Sequence, residues 1–242
     1  MGQLIKNIMT PDTDLASLQK RLGIEFKDEN LLRQALTHRS YLNENPDFAM
    51  GHNERLEFLG DAVLELVVTD HLYNTYDLPE GELTNLRAAV VRGDMLAKIA
   101  EDLSIDGYML LSRGERKDTG KARHYILANA VEAIIGAMYL DQGYSAAHAF
   151  IDKEIVVKLP EVVQKGLYID NKSKFQELAQ EKFRITPAYR VMHESGLDHA
   201  KQFVIGAFLG EKKLGEGAGS SKQEAQQEAA KQALHRLKAM ES

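Results

Sequence analysis

The chain has 242 residues, 44% of them hydrophobic and 27% charged, a balance that excludes a disordered or fibrous protein and leaves room for one large or two modest domains. With no cysteine there can be no disulfide, thiolate nucleophile or cysteine-based zinc site, which fits a reducing compartment. The formal net charge of -6 argues on its face against a nucleic-acid partner, and no apolar run approaches the roughly 20 residues that cross a bilayer.

In chain order, residues 1–14 lack the apolar core of a secretion signal, and Lys6 occupies the Ser/Thr position of a myristoylation motif. A cytoplasmic protein without membrane attachment is expected. Leu15 to Leu22 begins an amphipathic helical pattern that Asn30 to Thr37 continues. Glu54 to Tyr73 reads as a long helix, ended by a loop at Pro79-Glu80-Gly81. Helices over Glu82 to Asp102 and Tyr125 to Asp141 follow, with a polar loop from Gly114 to Gly120 between them and Gly143 as a C-cap. No strand pattern stands out before residue 160, so an all-α domain is predicted over residues 14–158.

Residues 159–169 read as a linker. Beyond it, over residues 170–239, Ser173 to Phe183 looks helical and is stopped by Pro187. Three strand patterns follow at Tyr189 to His193, Gln202 to Leu209 and Lys212 to Gly217. Ser221 to Lys238 closes as a helix with Ala225, Ala229, Ala233 and Leu237 on one face. This is a small α+β domain of order α-β-β-β-α. Charge divides the same way: residues 170–242 hold 12 Lys and Arg against 10 Asp and Glu, leaving 18 against 26 in the rest.

The densest chemistry lies in His52-Asn53-Glu54-Arg55-Leu56-Glu57-Phe58-Leu59-Gly60-Asp61. On a helix turning about 100° per residue, Glu54, Glu57 and Asp61 fall within about 60° of one another. Like charges so placed repel, and the stripe is flanked by residues that belong in a core. Carboxylates there need a cation or a raised pKa, and Mg²⁺, which prefers oxygen ligands, is one answer. A solvated face paired with bases such as Arg55 is the plainer alternative. The second cluster is Asn129 and Glu132, three apart on one face, with Gly136 continuing the row and allowing close helix approach. Glu132 is the only charged residue between His124 and Asp141, so either a metal or an ion pair with Arg87 or Arg92 should accompany it.

These residues carry a resemblance. HNERLEFLGDAVL (His52 to Leu64), preceded by ALTHRSY (Ala35 to Tyr41) and followed by EAIIGAMYLD (Glu132 to Asp141), resembles bacterial ribonuclease III. With the α-β-β-β-α tail, which resembles a double-stranded-RNA-binding domain, the likeness covers nearly the whole chain. It implies an all-helical endonuclease domain that forms a homodimer, cuts both strands of duplex RNA with a divalent cation, Mg²⁺ or Mn²⁺ in its place, and leaves 5′-phosphate and 3′-hydroxyl ends. Processing of ribosomal and other RNA precursors goes with it. Carried over, Glu57, Asp61 and Glu132 match metal-binding and catalytic carboxylates, with Asp61 and Glu132 the catalytic pair. Glu54 and Glu80 match accessory acids.

Asn129 departs from the family pattern, which places an aspartate there. An amide offers an oxygen without a charge, so weaker metal binding is expected. A duplex-RNA-binding regulator that cuts weakly or not at all is the alternative, and a helical phosphohydrolase acting on nucleotides is a remoter one. In the tail the resemblance assigns RNA contacts to Gln176 with nearby Glu177, to His199 in the turn from Gly196, and to Ser221 and Lys222 at the start of the last helix. Backbone N–H groups at that helix start favour phosphate. Lys174, Lys201 and Lys231 add charge, and Gln223 stands where a further lysine is common, so modest affinity is expected. His38 and His52 are read as structural or orienting.

Overall fold

A computed structural model describes residues 14–196 and 201–239. The chain divides into two compact units, Met1–Tyr168 and Ile169–Ser242.

The first unit is helical: α1 (Leu15–Leu22), α2 (Glu29–Ala35), α3 (Arg39–Glu44), α4 (Glu54–Thr75), α5 (Glu80–Val91), α6 (Gly93–Asp102), α7 (Arg113–Lys117), α8 (Lys121–Gln142), α9 (Tyr144–Glu154) and α10 (Leu159–Gln164). Two 3-10 turns, Ile105–Tyr108 and Val156–Lys158, join them. Helix starts follow local chemistry. The Asp14 carboxylate accepts from the Ser17 N–H, and that of Asp28 from the Asn30 N–H, satisfying donors that the first turn leaves unpaired. At the other end, α8 stops at Gly143, whose positive φ (82°) favours glycine, the C-cap that the sequence predicts.

α8 forms the spine. Ile126, Leu127, Ala130, Val131, Ile134, Ile135 and Met138 are all buried, so it is apolar nearly all round, as a central helix must be. α4 crosses it closely because both helices present glycine there. A Cβ on Gly60 would collide with the Glu132 carbonyl oxygen, and one on Gly136 with that of Leu56.

Four sequence expectations differ from the structure. Glu82 to Asp102 is two helices rather than one, because Arg92 is extended (ψ 148°) and its carbonyl starts α6. Glu80 and Gly81 are the first turn of α5 rather than a loop. Residues 113–117 form a short helix inside the predicted loop, capped by the Ser112 hydroxyl accepting from the Glu115 N–H. Part of the predicted linker is α10, whose Leu159 and Val162 are buried in the first unit's core. An isolated parallel bridge, Thr37 to Leu110, is the one β-type pairing described before residue 160.

The second unit runs α11 (Asn171–Phe183), β1 (Ala188–Ser195), β2 (Gln202–Leu209), β3 (Lys212–Gly219) and α12 (Lys222–Ala239). The sheet is antiparallel in the order β1-β2-β3, with irregular register after Val191 and after Ala207. Phe175, Ala207, Leu214, Ala229, Ala230, Ala233 and Leu237 form its core. Gly215, Gly217 and Gly219 lie directly against the backbone of α12, where a Cβ would clash. The alanine row of α12 and the glycines of β3 are therefore two halves of one close contact.

Candidate active site and RNA-binding surfaces

The crossing of α4 and α8 brings Glu57 and Asp61 from one helix beside Asn129 and Glu132 from the other. Glu132 is partly buried, and its carboxyl is pushed up to about 7, first by burial and then by the charges of Asp61 and Glu57. Burial likewise raises Glu57, with help from Glu54 and Asp61, while the Asn129 side chain donates a hydrogen bond to it and opposes the shift. Among the described residues no salt bridge joins Glu57, Asp61 or Glu132 to a base. Arg87 binds Glu65 (2.7 Å) and the Thr69 hydroxyl (2.9 Å) instead, and Arg92 is exposed at the α5–α6 break. Neither provides the ion pair that the sequence leaves open for Glu132.

The result is a cluster of three carboxylates and an amide, half-sheltered and short of positive charge. Among the described residues no group of three or more Asp, Glu or His side chains is arranged to hold a metal ion. The donor set nonetheless fits a hard divalent cation, which takes carboxylate and amide oxygens. It does not suit a soft metal, for which thiolate ligands would be needed.

Glu54 and Glu80 lie differently. Glu54, at the head of α4, pairs with Arg39 (3.5 Å) and His52 (3.8 Å), and its charge reaches Glu57. Glu80 lines a cavity of about 520 Å³ with Leu72, Tyr73, Leu83 and Arg87, and it is not among the groups that shift Glu57 or Glu132. His38 accepts from the Ser40 N–H at the start of α3, and burial lowers its pKa. It caps a helix, as a structural histidine would. Gly60, which lets α4 approach the α8 backbone, is a residue that the sequence reading does not single out. A glycine inside a long helix carries a propensity cost that asks for a packing reason, and Gly60 had that mark.

In the second unit Gln176 and Glu177 are exposed on α11, in a groove shared with Ser173, Gln180, Glu181 and Arg184. Ser221 accepts from the Glu224 N–H (3.2 Å), while Glu224 accepts from the Ser220 N–H (2.8 Å), a reciprocal cap. Lys222 follows, its ammonium 5.6 Å from the Phe203 ring centre. Lys201 pairs with Glu194 (3.1 Å) and Lys231 with Glu228 (3.9 Å). His199 lies outside the described residues.

Comparison with known proteins agrees with both units. Residues 28–159 match the Ribonuclease-III-like family, and residues 171–237 match the double-stranded RNA binding motif. A Ribonuclease 3 of Dehalococcoides mccartyi is 41% identical over 225 residues, 93% of this chain and 95% of that protein. One of Enterococcus faecalis is 44% identical over 90% of this chain and 94% of its own length. A structure of the nuclease domain of ribonuclease III from Campylobacter jejuni, described for flexibility in a region involved in dimer formation, is 42% identical with a TM-score of 0.55. That match covers 61% of this chain and 99% of that one. The chain therefore belongs to the ribonuclease III family, as an endoribonuclease acting on double-stranded RNA with a double-stranded-RNA-binding motif following its helical nuclease domain.

Proposed function

We propose that this chain hydrolyses phosphodiester bonds of duplex RNA with water, leaving 5′-phosphate and 3′-hydroxyl ends, at a site made by Glu57, Asp61, Asn129 and Glu132. The observation that carries the reading is the uncompensated charge at the α4–α8 crossing, where Glu132 is pushed up to about 7 by burial and by Asp61 and Glu57. The family generally depends on divalent metal, and Mg²⁺, with Mn²⁺ as a substitute, is the cation we assign. When bound, such an ion supplies a Lewis acid for the phosphate and lowers the pKa of water.

The chain's own residues do the rest. Glu57, Asp61 and Glu132 provide carboxylate oxygens to hold the ion, and Asp61 and Glu132 are the pair closest to the chemistry. Asn129, whose side chain lowers the Glu57 pKa, offers its amide carbonyl oxygen as a neutral ligand. With one charge fewer than four acids would give, the site should need more Mg²⁺. Asn129→Asp should lower the Mg²⁺ concentration at half-maximal rate, and an unchanged value would remove this role. Glu54 acts at the edge through its charge, and Glu80 is an accessory acid at most.

We assign RNA contacts to Gln176, His199, Ser221 and Lys222, reading duplex shape and phosphate rather than sequence. We also propose a homodimer. Phe58 (81% exposed), Leu66 (57%) and Tyr73 (77%) share one face of α4, and two sites related by a two-fold axis match the two strands of a duplex. Ribosomal and other precursor RNAs in the cytoplasm are the substrates we assign.

Incubation with long duplex RNA and Mg²⁺ or Mn²⁺ tests the reading, with Glu132→Gln as control. Short products bearing 5′-phosphates, lost in the variant, are expected. Intact RNA in a shifted gel band for the unmodified protein would instead indicate a binder without cleavage.

A further inference from the structure

Among the described residues three polar side chains are buried: Gln19, Thr37 and Asn53. Asn53, 2% exposed, stands at the N-cap of α4. An asparagine there ordinarily takes extended backbone and turns its side-chain oxygen onto the next turn's N–H groups. Asn53 does neither, since its backbone is helical (φ −81°, ψ −13°) and its side chain makes no cap bond.

Its side chain reaches elsewhere. The Asn53 Nδ2 donates to the Ala35 carbonyl at the end of α2 (3.2 Å). Its backbone N–H donates to the Thr37 carbonyl (2.9 Å), and the Gln34 Nε2 donates to the neighbouring His52 carbonyl (3.2 Å). The segment receiving these bonds is itself fixed: the Thr37 hydroxyl donates to the Arg33 carbonyl (2.8 Å), and Thr37 bridges to Leu110. In turn the Asn53 carbonyl accepts the first helical bond of α4, from the Glu57 N–H (2.9 Å).

The body of α4 is held by its buried face, from Leu56 through Gly60, Val63 and Leu64 to Leu72. Its first turn receives no cap bond from the N-cap side chain, and the only side-chain acceptor there among the described residues is the His52 Nδ1, which takes the Glu54 N–H (3.4 Å). The turn carries Glu54 and Glu57, which repel each other. That is the part of a helix that frays. We propose that Asn53 is a positioning residue for the reaction: its buried amide, clamped on the Ala35 carbonyl, fixes the start of α4 and so sets where Glu57 meets Asp61 and Glu132. The inference rests on the site reading given above, in which those carboxylates perform the chemistry.

Asn53→Asp, isosteric but unable to donate to a carbonyl, and Asn53→Ala test it in the full chain. The comparison variant is Gln19→Leu, which loses another buried amide, one that accepts from the Phe26 N–H (2.7 Å) and donates to Glu29 (2.9 Å) without bonding to α4. Both Asn53 variants should lose at least about 10-fold in kcat on duplex RNA, since misplacing a reacting group by about 1 Å costs on the order of 100-fold. The Mg²⁺ concentration at half-maximal rate should rise and KM should hold. Without metal or RNA, amide hydrogen exchange should quicken in residues 54–58 and not in the rest of α4. Gln19→Leu should lower the melting temperature and change none of these. If the Asn53 variants do not fold, Gln34→Ala, which removes only the bond to the His52 carbonyl, should show the same pattern at smaller size. Folded Asn53 or Gln34 variants with unchanged kcat, Mg²⁺ dependence and exchange overturn the proposal, as does Gln19→Leu reproducing the changes. Continued cleavage by Glu132→Gln would instead overturn the site assignment and leave the clamp to be judged by exchange.

Discussion

The two units treat charge in opposite ways. At the α4–α8 crossing three carboxylates gather with no base beside them, and burial leaves Glu132 and Glu57 reluctant to ionise. In the second unit charges are largely answered within the fold: Arg190 binds Glu211 (3.1 Å), Lys213 binds Glu216 (2.7 Å), and Glu224 accepts from Ser220. A binding surface can keep its charges paired and release them to phosphate at small cost, since exposed pairs contribute on the order of 0 to 1 kcal/mol. A site built for a cation must hold like charges together before the cation arrives, and needs a rigid frame to do so. The glycine contact between Gly60 and the α8 backbone is that frame.

The hardest blow to the comparison is to remove the frame. Gly60→Ala puts a methyl group into the Glu132 carbonyl, and backbone, not a flexible side chain, must give way. A loss of about 3 kcal/mol or more is expected for such overpacking, with cleavage abolished, and thermal melting together with an RNA digest would measure both. A Gly60→Ala protein that melts and cuts like the original would mean that the two helices do not need this approach.

A subtler test separates electrostatic stress from catalytic loss. Because the folded Glu132 carboxyl sits at about 7 against an ordinary 4.5, the folded state holds a proton that the unfolded state releases. Metal-free stability should therefore fall as pH rises through that window, with the full penalty present above it. Glu132→Gln removes the penalty. Its melting temperature should match the original at pH 4 and exceed it at pH 8; because the carboxyl is partly exposed, solvent screening cuts the gain to roughly 1 kcal/mol, or a few degrees. Equal melting temperatures at both pH values would contradict the charge assignment.

The smallest effects belong to the second unit. Ser221→Ala should cost about 1 kcal/mol through the lost cap, and Lys222→Gln should weaken duplex-RNA binding a few-fold and reduce the salt slope by about 1. Filter binding across a salt series would measure the slope. A large loss of binding from Lys222→Gln alone would mean that this unit's charge is far more concentrated than its paired lysines indicate.

Much of this contrast was legible in the sequence, though unevenly. The spacing of Glu57 and Asp61 puts them on one helix face, and the isolation of Glu132 in an apolar run marks it as unusual. The limits of β2, Gln202–Leu209, are those that the apolar run between Gly-containing turns gives. The break at Arg92 was not legible because buried residues continue on both sides of it, Leu86 to Val90 and Leu96 to Ala100, so apolar spacing carries no sign of a bend. α7 hid in a polar stretch because its five residues bury nothing. Residues 159–164 read as linker because Pro160 and the charges near it mask Leu159 and Val162. Nothing in the sequence marks Asn53, whose bonds to the Ala35 and Thr37 carbonyls are tertiary.

The central claim is that the acids at the α4–α8 crossing stand uncompensated until a divalent cation joins them. Following the carboxyl carbon of Glu132 by NMR across pH, with and without Mg²⁺, tests this most directly. The account predicts titration near 7 in the metal-free protein and a shift toward the ordinary carboxylate range when Mg²⁺ is added. An ordinary titration without metal, or one that Mg²⁺ leaves unmoved, would contradict it.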